Sequence, residues 1–572
     1  MKRIRFILLF IGIINNAFSQ EFKYGGNIGN WVNDWAIDME KTSDGSLIMS
    51  TDNQARYWSI GITYSPETFY GLYKIDNTGK LEWSFDFFRT NWDYHEYSIA
   101  QTTLDENDNI YALIYVYQLD QPDSIDGHTY YPGLNLFKIN QQGKVVWIKK
   151  IGTTDDRGSS ILYKNGHLYV LGLYTGDLEL SADKKFTSKS YYQCFEWIYE
   201  QGTDYFIAKY DTDGNLLNAV SFGEDYPDIA IDATIDNDEN IYFLGVSDYF
   251  AGCINAYSHI TKVDKDLNIL WKKVTSLEVG NEGLFYSTNI HLAKNNNLYV
   301  WGSIYKKVTT ADYTLEPGDD FSGGEFSPFL LEFNSTDGHF LRKMSLNTRT
   351  VNFTQGSSDD IRRYFVNGYM DDFGEDLVVH TAYSGDLTIG DTTISSSYHD
   401  GYHHNLLLLK VNLKDFTPTF ISEFYGSKFQ SYSEDFPGKI ITDEKNNIYL
   451  SGTFSDTPIY IMGNEINNNS GNGCYDVFYS KIDMNSLLSG TNEIQQNKND
   501  IEIYPNPSST YLKYRCNESI DEIRIYSMMG TFIGVKLSNN NIIDTGDLKS
   551  GSYSILFCKN KKIVFRKIII KE

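Results

Sequence analysis

A polar turn that runs straight into a short apolar strand recurs along the whole chain, and this recurrence limits the possible folds more than any other feature. Its fullest form is Asp236-Asn237-Asp238-Glu239-Asn240 followed by Ile241-Tyr242-Phe243-Leu244-Gly245. Close copies lead into Ile110-Tyr111, Leu168-Tyr169-Val170, Leu298-Tyr299-Val300 and Ile448-Tyr449-Leu450. Weaker ones are Asp44-Gly45-Ser46-Leu47-Ile48 and Gly374-Glu375-Asp376-Leu377-Val378, which makes seven. Equivalent positions lie roughly 57 to 79 residues apart, longer than the ~40–50 residues of common propeller repeats, so the connections must be long.

A second signature alternates with the first. An apolar strand ends in Lys, an apolar residue and Asp or Asn, then turns, often into Trp: Lys74-Ile75-Asp76 to Trp83, Lys138-Ile139-Asn140 to Trp147, Lys262-Val263-Asp264 to Trp271. Lys209-Tyr210-Asp211, Lys410-Val411-Asn412 and Lys481-Ile482-Asp483 lack the Trp, and Glu332-Phe333-Asn334 has lost the Lys. Strict interleaving puts both signatures in every repeat. Strand-like runs, many tyrosines and scarce helical periodicity give an all-β reading; Tyr191–Gln201 is the one weak helical candidate. The expected fold is a seven-bladed β-propeller over residues 20–490, each repeat a four-stranded sheet around a central channel. The repeats resemble the bacterial β-propeller repeat family of secreted proteins. The seventh repeat lacks a fourth strand, and Phe22-Lys23-Tyr24 is expected to supply it, hiding an exposed edge.

The ends differ from the body. Residues 1–19 read as a secretory signal peptide: Lys2, Arg3 and Arg5, an apolar run Phe6–Ile14, then Ala17-Phe18-Ser19. That run is shorter than the ~20 residues a membrane span needs, and nothing else is long and apolar enough. Residues 491–500 are polar and read as a linker. Residues 501–572 alternate polar and apolar with turn residues between, as expected of a small C-terminal β-sandwich.

That tail resembles the type A C-terminal sorting domain of Bacteroidetes proteins exported by the type IX secretion system. The resemblance rests on Tyr504-Pro505-Asn506-Pro507, Gly530, Gly551 with Tyr553, and the terminal Lys567–Lys571. It implies an address, usually removed after export, that hands the folded cargo to the secretion machinery. The mature protein would be secreted, or held on the outer-membrane surface.

Charge narrows the partners. The whole chain carries −26; removing +3 for the signal and +4 for residues 501–572 leaves −33 on residues 20–500. Such a body repels polyphosphate and anionic lipid, so nucleic acid is excluded as a partner. The five cysteines form no CxxC pair; Cys516 and Cys558 share the small domain and could form a disulfide.

No motif supplies a catalytic residue. The Asp-rich turns at Asp211 and Asp236 suggest calcium, but the twelfth positions are Phe222 and Ser247 rather than Glu, so self-capping turns are expected. His399, His403 and His404 cluster without an identifiable third ligand, so neither a metal nor a cofactor is expected. Asp123-Ser124-Ile125 and Asp391-Thr392-Thr393 resemble the three-residue O-glycosylation site of Bacteroidetes. The best functional hint is aromatic: Tyr191, Tyr192, Phe195, Trp197 and Tyr199 fall in one insertion, and Trp31, Trp35, Tyr57, Trp58, Trp92 and Tyr94 in or near others. Aromatics beside polar groups suit recognition. The expectation is non-catalytic binding of a surface glycan or protein; a polysaccharide-active enzyme with channel carboxylates and a structural surface protein are the alternatives. Buried carboxylates with shifted pKa at the channel would favour the enzyme.

Overall fold

The computed structural model describes residues 21–484 and 501–571, except 29–32, 55–70, 87–96, 117–122, 153–156, 190, 193–199, 224–227, 248–256, 276–284, 305–306, 317–326, 350–367, 384–385, 390–391, 396–404, 426–434, 456–457, 463, 469–474, 506–507, 517–519, 528–531, 538–540, 550 and 560–561. The expected signal peptide and linker lie outside the described residues. Two compact units divide the chain, one over Phe22–Lys481 and the other over Ile482–Glu572.

Every described element is a strand. Among the described residues of the first unit the strands form seven antiparallel sheets of four strands or more, six of them laid down in chain order. The first holds Asn33–Lys41, Leu47–Gln54, Gly71–Ile75 and Leu81–Asp86. The sheet expected to lack a strand is completed from the far end of the chain: β1 (Glu21–Ile28) lies beside Asp476–Asp483.

The first strands of the seven sheets are β2 (Asn33–Lys41), β3 (Tyr97–Leu104), β4 (Arg157–Lys164), β5 (Ile229–Ile235), β6 (Phe285–Leu292), β7 (Gly368–Phe373) and β8 (Phe436–Thr442). Each touches the next, and β8 touches β2, so they close on themselves. Between neighbouring sheets lie apolar clusters. One joins Ile48 and Leu72 of the first sheet to Ile110, Ile114 and Phe137 of the second; another joins Met39, Met49 and Ile75 to Tyr449 and Val477 of the last. No single sheet could bury both of its faces alone, so the sheets stand only as a set. The body is all-β and propeller-like.

The repeated signatures hold this set together. Asp236 Oδ1 accepts the backbone N–H groups of Asp238 and Asn240 at 2.9 and 2.8 Å. Its Oδ2 accepts the Asn240 side chain and the Tyr242 hydroxyl at 2.8 and 2.9 Å. Asp105 and Asp443 do the same for Tyr111 and Tyr449. The Asp-rich turns are therefore self-capped. The repeat Lys sits over the Tyr ring: Lys262 Nζ is 4.9 Å from the Tyr242 centroid and also donates to the Ser335 carbonyl in the next sheet.

The Trp reaches the next sheet too. The indole N–H groups of Trp83, Trp147 and Trp271 donate to the carbonyls of Gln141, Thr212 and Thr336, one sheet further on. Their rings cover Gly143, Gly214 and Gly338, at positive φ, where a Cβ would meet the ring at 2.9–3.1 Å. At the closing junction Tyr24 of β1 covers Gly79 in the same way. The unit's own first residues therefore take the place of the missing Trp.

In the second unit Ile501–Tyr504, Tyr511–Cys516 and Ile542–Asp544 form one sheet. Phe532–Leu537, Glu522–Ser527, Gly551–Lys559 and Lys562–Lys571 form another. Leu512, Tyr514 and Ile543 of the first pack with Ile523, Ile525, Ile555, Phe557 and Ile569 of the second.

Candidate functional site

Strand direction sorts the chain into two ends. Within each sheet the first-to-second and third-to-fourth links are short turns, all at one end. The second-to-third links and the passages between sheets leave from the other end, and all but the four residues between β1 and β2 are longer. Every aromatic insertion belongs to this second end. The passage from β1 to β2 carries Trp31, and Trp35 stands at the start of β2; the first sheet's second-to-third link carries Tyr57 and Trp58; the passage to β3 carries Trp92 and Tyr94. The third sheet's second-to-third link carries Tyr191–Tyr199, and the sixth sheet's carries His399, His403 and His404.

At that end Tyr191–Tyr192 form a two-residue strand against Glu200–Gln201, which replaces the weak helical candidate. Phe195, Trp197 and Tyr199 lie outside the described residues, as do Trp31, Tyr57, Trp58, Trp92, Tyr94 and the three histidines. Trp35 stacks on Tyr475 at 4.7 Å and tilts against Phe436 at 5.0 Å. Of the two glycosylation-like triplets, Asp123–Ile125 is a short strand and Thr392–Thr393 begins another.

A second constellation, which no motif announced, lines the inner strands. Six of these seven carry a register shift, at Ala36/Asp38, Ile99/Thr102, Gly158/Ser160, Ala230/Asp232, Ser287/Asn289 and Pro437/Ile440. A bulge re-aims the residue beside it. Here it turns polar groups onto the neighbouring inner strand. Asp38 Oδ2 accepts the Thr102 N–H and hydroxyl at 2.8 and 3.0 Å. Gln101 accepts the Ser160 hydroxyl at 2.8 Å. Asp232 Oδ2 accepts the Asn289 amide at 2.7 Å and the Ile290 N–H at 3.0 Å. Asn289 accepts the Met370 N–H at 3.2 Å, and Asp371 the Thr442 N–H at 2.6 Å. Lys439 closes the circle on Asp38 at 2.8 Å and Glu40 at 2.9 Å. Among the described residues, six of the seven junctions are bridged in this way.

Burial sets the titration of these groups. It raises Asp232 to about 6, against which its N–H partners pull only partly. It raises Asp371, and it raises Glu40 despite the ammonium of Lys439. It opposes the charge on Lys439, but Asp38 and Glu40 outweigh it and the ammonium is held well above its ordinary range. The groups keep some water contact although protein surrounds them: 31% of the Lys439 side chain is exposed, 18% of His291 and 13% of Asp372. This fits side chains facing a narrow enclosed space. The sequence trace is slight: a polar residue a few positions before the Asp turn, and an Asp-x-Ala-Ile-Asp run common to Asp34–Asp38 and Asp228–Asp232.

Comparison with known proteins identifies the tail. Residues 502–571 match the secretion system C-terminal sorting domain. The tail is a sorting domain. The chain is therefore a cargo of the type IX secretion system, the route that delivers proteins outside the cell or to its surface. Of the residues expected to carry the sorting signal, Tyr504 is half exposed and Pro505 follows it through a cis peptide. Tyr553 is buried and donates its hydroxyl to the Lys549 carbonyl at 2.8 Å, and Lys571 is buried in the final strand. Gly551 and Lys567 pair within the last hairpin, with Lys571 and Ile555 respectively. Asn506, Pro507 and Gly530 lie outside the described residues.

No curated protein matches the chain in sequence. Among solved structures it is similar to polysaccharide lyase Uly1 at 8% identity, covering 81% of this chain and 99% of that one, with a TM-score of 0.43. The phage phi92 endosialidase follows at 10% identity, 96% and 88% coverage and 0.39. The Dos1 propeller follows at 8%, 81% and 95%, and 0.36. Likenesses this distant carry no argument about activity. No helix among the described residues is long and apolar enough to cross a membrane.

Proposed function

We propose that residues 20–490 are a seven-bladed β-propeller and residues 501–572 a β-sandwich sorting domain removed from the signal-processed cargo at or after export. The propeller is a non-catalytic module that binds a surface glycan or another protein through the end bearing the long connections. One observation carries this reading: every aromatic-rich insertion leaves the sheets at that end, while the opposite end consists of short turns. Tyr191, Tyr192, Phe195, Trp197 and Tyr199 are its contact residues, since rigid aromatic rings bury large area at low entropic cost. A glycan array and a pull-down with the exported protein test it. Specific capture that Trp197→Ala abolishes is the expected result, and hydrolysis of a polysaccharide would overturn it.

An enzyme acting on polysaccharide is the second reading. Asp232, Glu40 and Asp371, all raised by burial, favour it. Asp232 and Asp371 are already engaged by backbone N–H groups of the next strand, and Glu40 by Lys439. A bridging role accounts for all three. Export has its own test. Removing residues 501–572 should strand the protein in the periplasm, and ordinary delivery of the truncated chain would count against the address.

A further inference from the structure

At the turn end of the enclosed space, away from the aromatic connections, His291 of β6 meets Asp371 and Asp372 of β7. One ligand atom from each lies within 4.8 Å of the other two. Both carboxylates are fixed by backbone donors. Asp371 accepts the N–H groups of Asp372 at 2.8 Å and Thr442 at 2.6 Å, and Asp372 accepts the N–H of Lys294 at 3.0 Å. Such outer contacts orient a metal ligand before the metal arrives.

The imidazole Nε2 is the informative atom. It is buried and makes no hydrogen bond of good geometry, only an ionic contact with Asp372. Its nearest acidic neighbour, Asp372 Oδ2, stands at 3.4 Å, beyond the roughly 2.7–3.2 Å of a good N–H···O bond. Two ligands each about 2.1 Å from a tetrahedral ion stand about 3.4 Å apart. The spacing is long for a hydrogen bond and right for two groups sharing one ion.

We propose that His291, Asp371 and Asp372 bind a divalent transition ion, zinc or manganese. One imidazole with two carboxylates suits these ions, whereas calcium takes oxygen ligands throughout. Two carboxylates balance the ion's charge. Three protein ligands leave at least one position for water. This site is independent of the aromatic end, so failure of either proposal leaves the other standing.

The test is calorimetric titration of the chelator-stripped full chain with zinc chloride and manganese chloride, with calcium chloride as comparison. One equivalent of zinc should bind tightly, calcium far more weakly. His291→Ala and Asp372→Asn should each weaken binding by at least about tenfold. Replacing His399, His403 and His404 by Ala should leave the tight site unchanged. X-ray absorption on the zinc-loaded wild type should show one imidazole and otherwise oxygen ligands, a readout that holds if a variant fails to fold. No stoichiometric binding of zinc or manganese by the wild type, a shell of two or more imidazoles, or tight binding that survives in folded His291→Ala would overturn the proposal.

Discussion

The two ends of the sheets follow opposite rules. At the turn end every link is short and the same contacts recur. Asp caps its own turn, Tyr meets the Asp, Lys covers the Tyr, and Trp covers the next glycine. At the other end the links are long, their composition varies from repeat to repeat, and the aromatics have no counterpart in neighbouring copies. Repetition therefore marks what holds the sheets together, and departure from it marks what differs between them. Two departures at the turn end bear this out, because each is compensated. The third sheet has Asn165-Gly166 and no capping Asp. Tyr169 donates instead to Glu239 of the next sheet at 2.6 Å, where His167 and Lys209 also converge. In the fifth sheet Glu332 replaces the Lys and accepts the Tyr299 hydroxyl at 2.7 Å. Arg342 pairs with that Glu332, lies 4.6 Å from the Phe416 ring and donates to the Leu413 carbonyl, so one residue replaces both Lys and Trp.

The contrast can be broken most severely at the seam. Deleting Glu21–Ile28 from the mature chain exposes the edge of Asp476–Asp483 and uncovers Gly79. Size-exclusion chromatography should show loss of soluble monomer. A monodisperse deletion product would show that β1 is dispensable. Next in size is Trp147→Ala, which removes the ring over Gly214 and the bond to Thr212. It should lower unfolding stability by about 3 kcal/mol in urea, and a loss under about 1 kcal/mol would mean the Trp contact is incidental.

The pH dependence should separate the turns from the inner circle. Glu239 is 13% exposed and, despite burial, Tyr169 and Asn165 hold it at about 2. A depressed carboxylate stabilises above its ordinary pKa, and that contribution is lost as pH falls from about 4.5 to about 2. Asp232, raised to about 6, has the opposite sign: its contribution is present below about 4 and lost as pH rises to about 6. Each effect amounts to roughly 3 kcal/mol. Urea midpoints across pH should therefore show a shallower acid limb for Glu239→Gln and a shallower limb between pH 4 and 6 for Asp232→Asn. Unchanged limbs would contradict the assignment. Smallest of all should be the stability effect of Tyr191→Ala or Trp197→Ala, within about 0.5 kcal/mol, although these changes should abolish ligand capture. A large loss of stability would make those rings packing residues.

The repeats were legible in the sequence because Asp, Asn, Gly, Tyr, Lys and Trp recur at fixed offsets, each for a local reason. Phe22–Tyr24 could be read as the closing strand, since one repeat was a strand short. Nothing in the spacing showed that Lys262 and Trp271 reach Ser335 and Thr336 of the following copy, because distance along a chain does not say which neighbour a side chain faces. The inner circle stayed hidden for a related reason. Asp38, Asp232, Asn289, His291, Asp371 and Lys439 come from five repeats, and apart from the Asp-x-Ala-Ile-Asp run that Asp38 and Asp232 both end they share no motif; only the bulges and the closing of the strands bring them together.

The seam also sets an order of events. Asn27 bonds to Asp476 at 2.8 Å across 449 residues of chain. Glu21–Ile28 has no mate until almost the last repeat has emerged, so completion of the circle is a late and slow step for so distant a pairing. A nascent chain interrupted anywhere before residue 476 keeps Glu21–Ile28 as an unmatched edge, open to pairing with another chain.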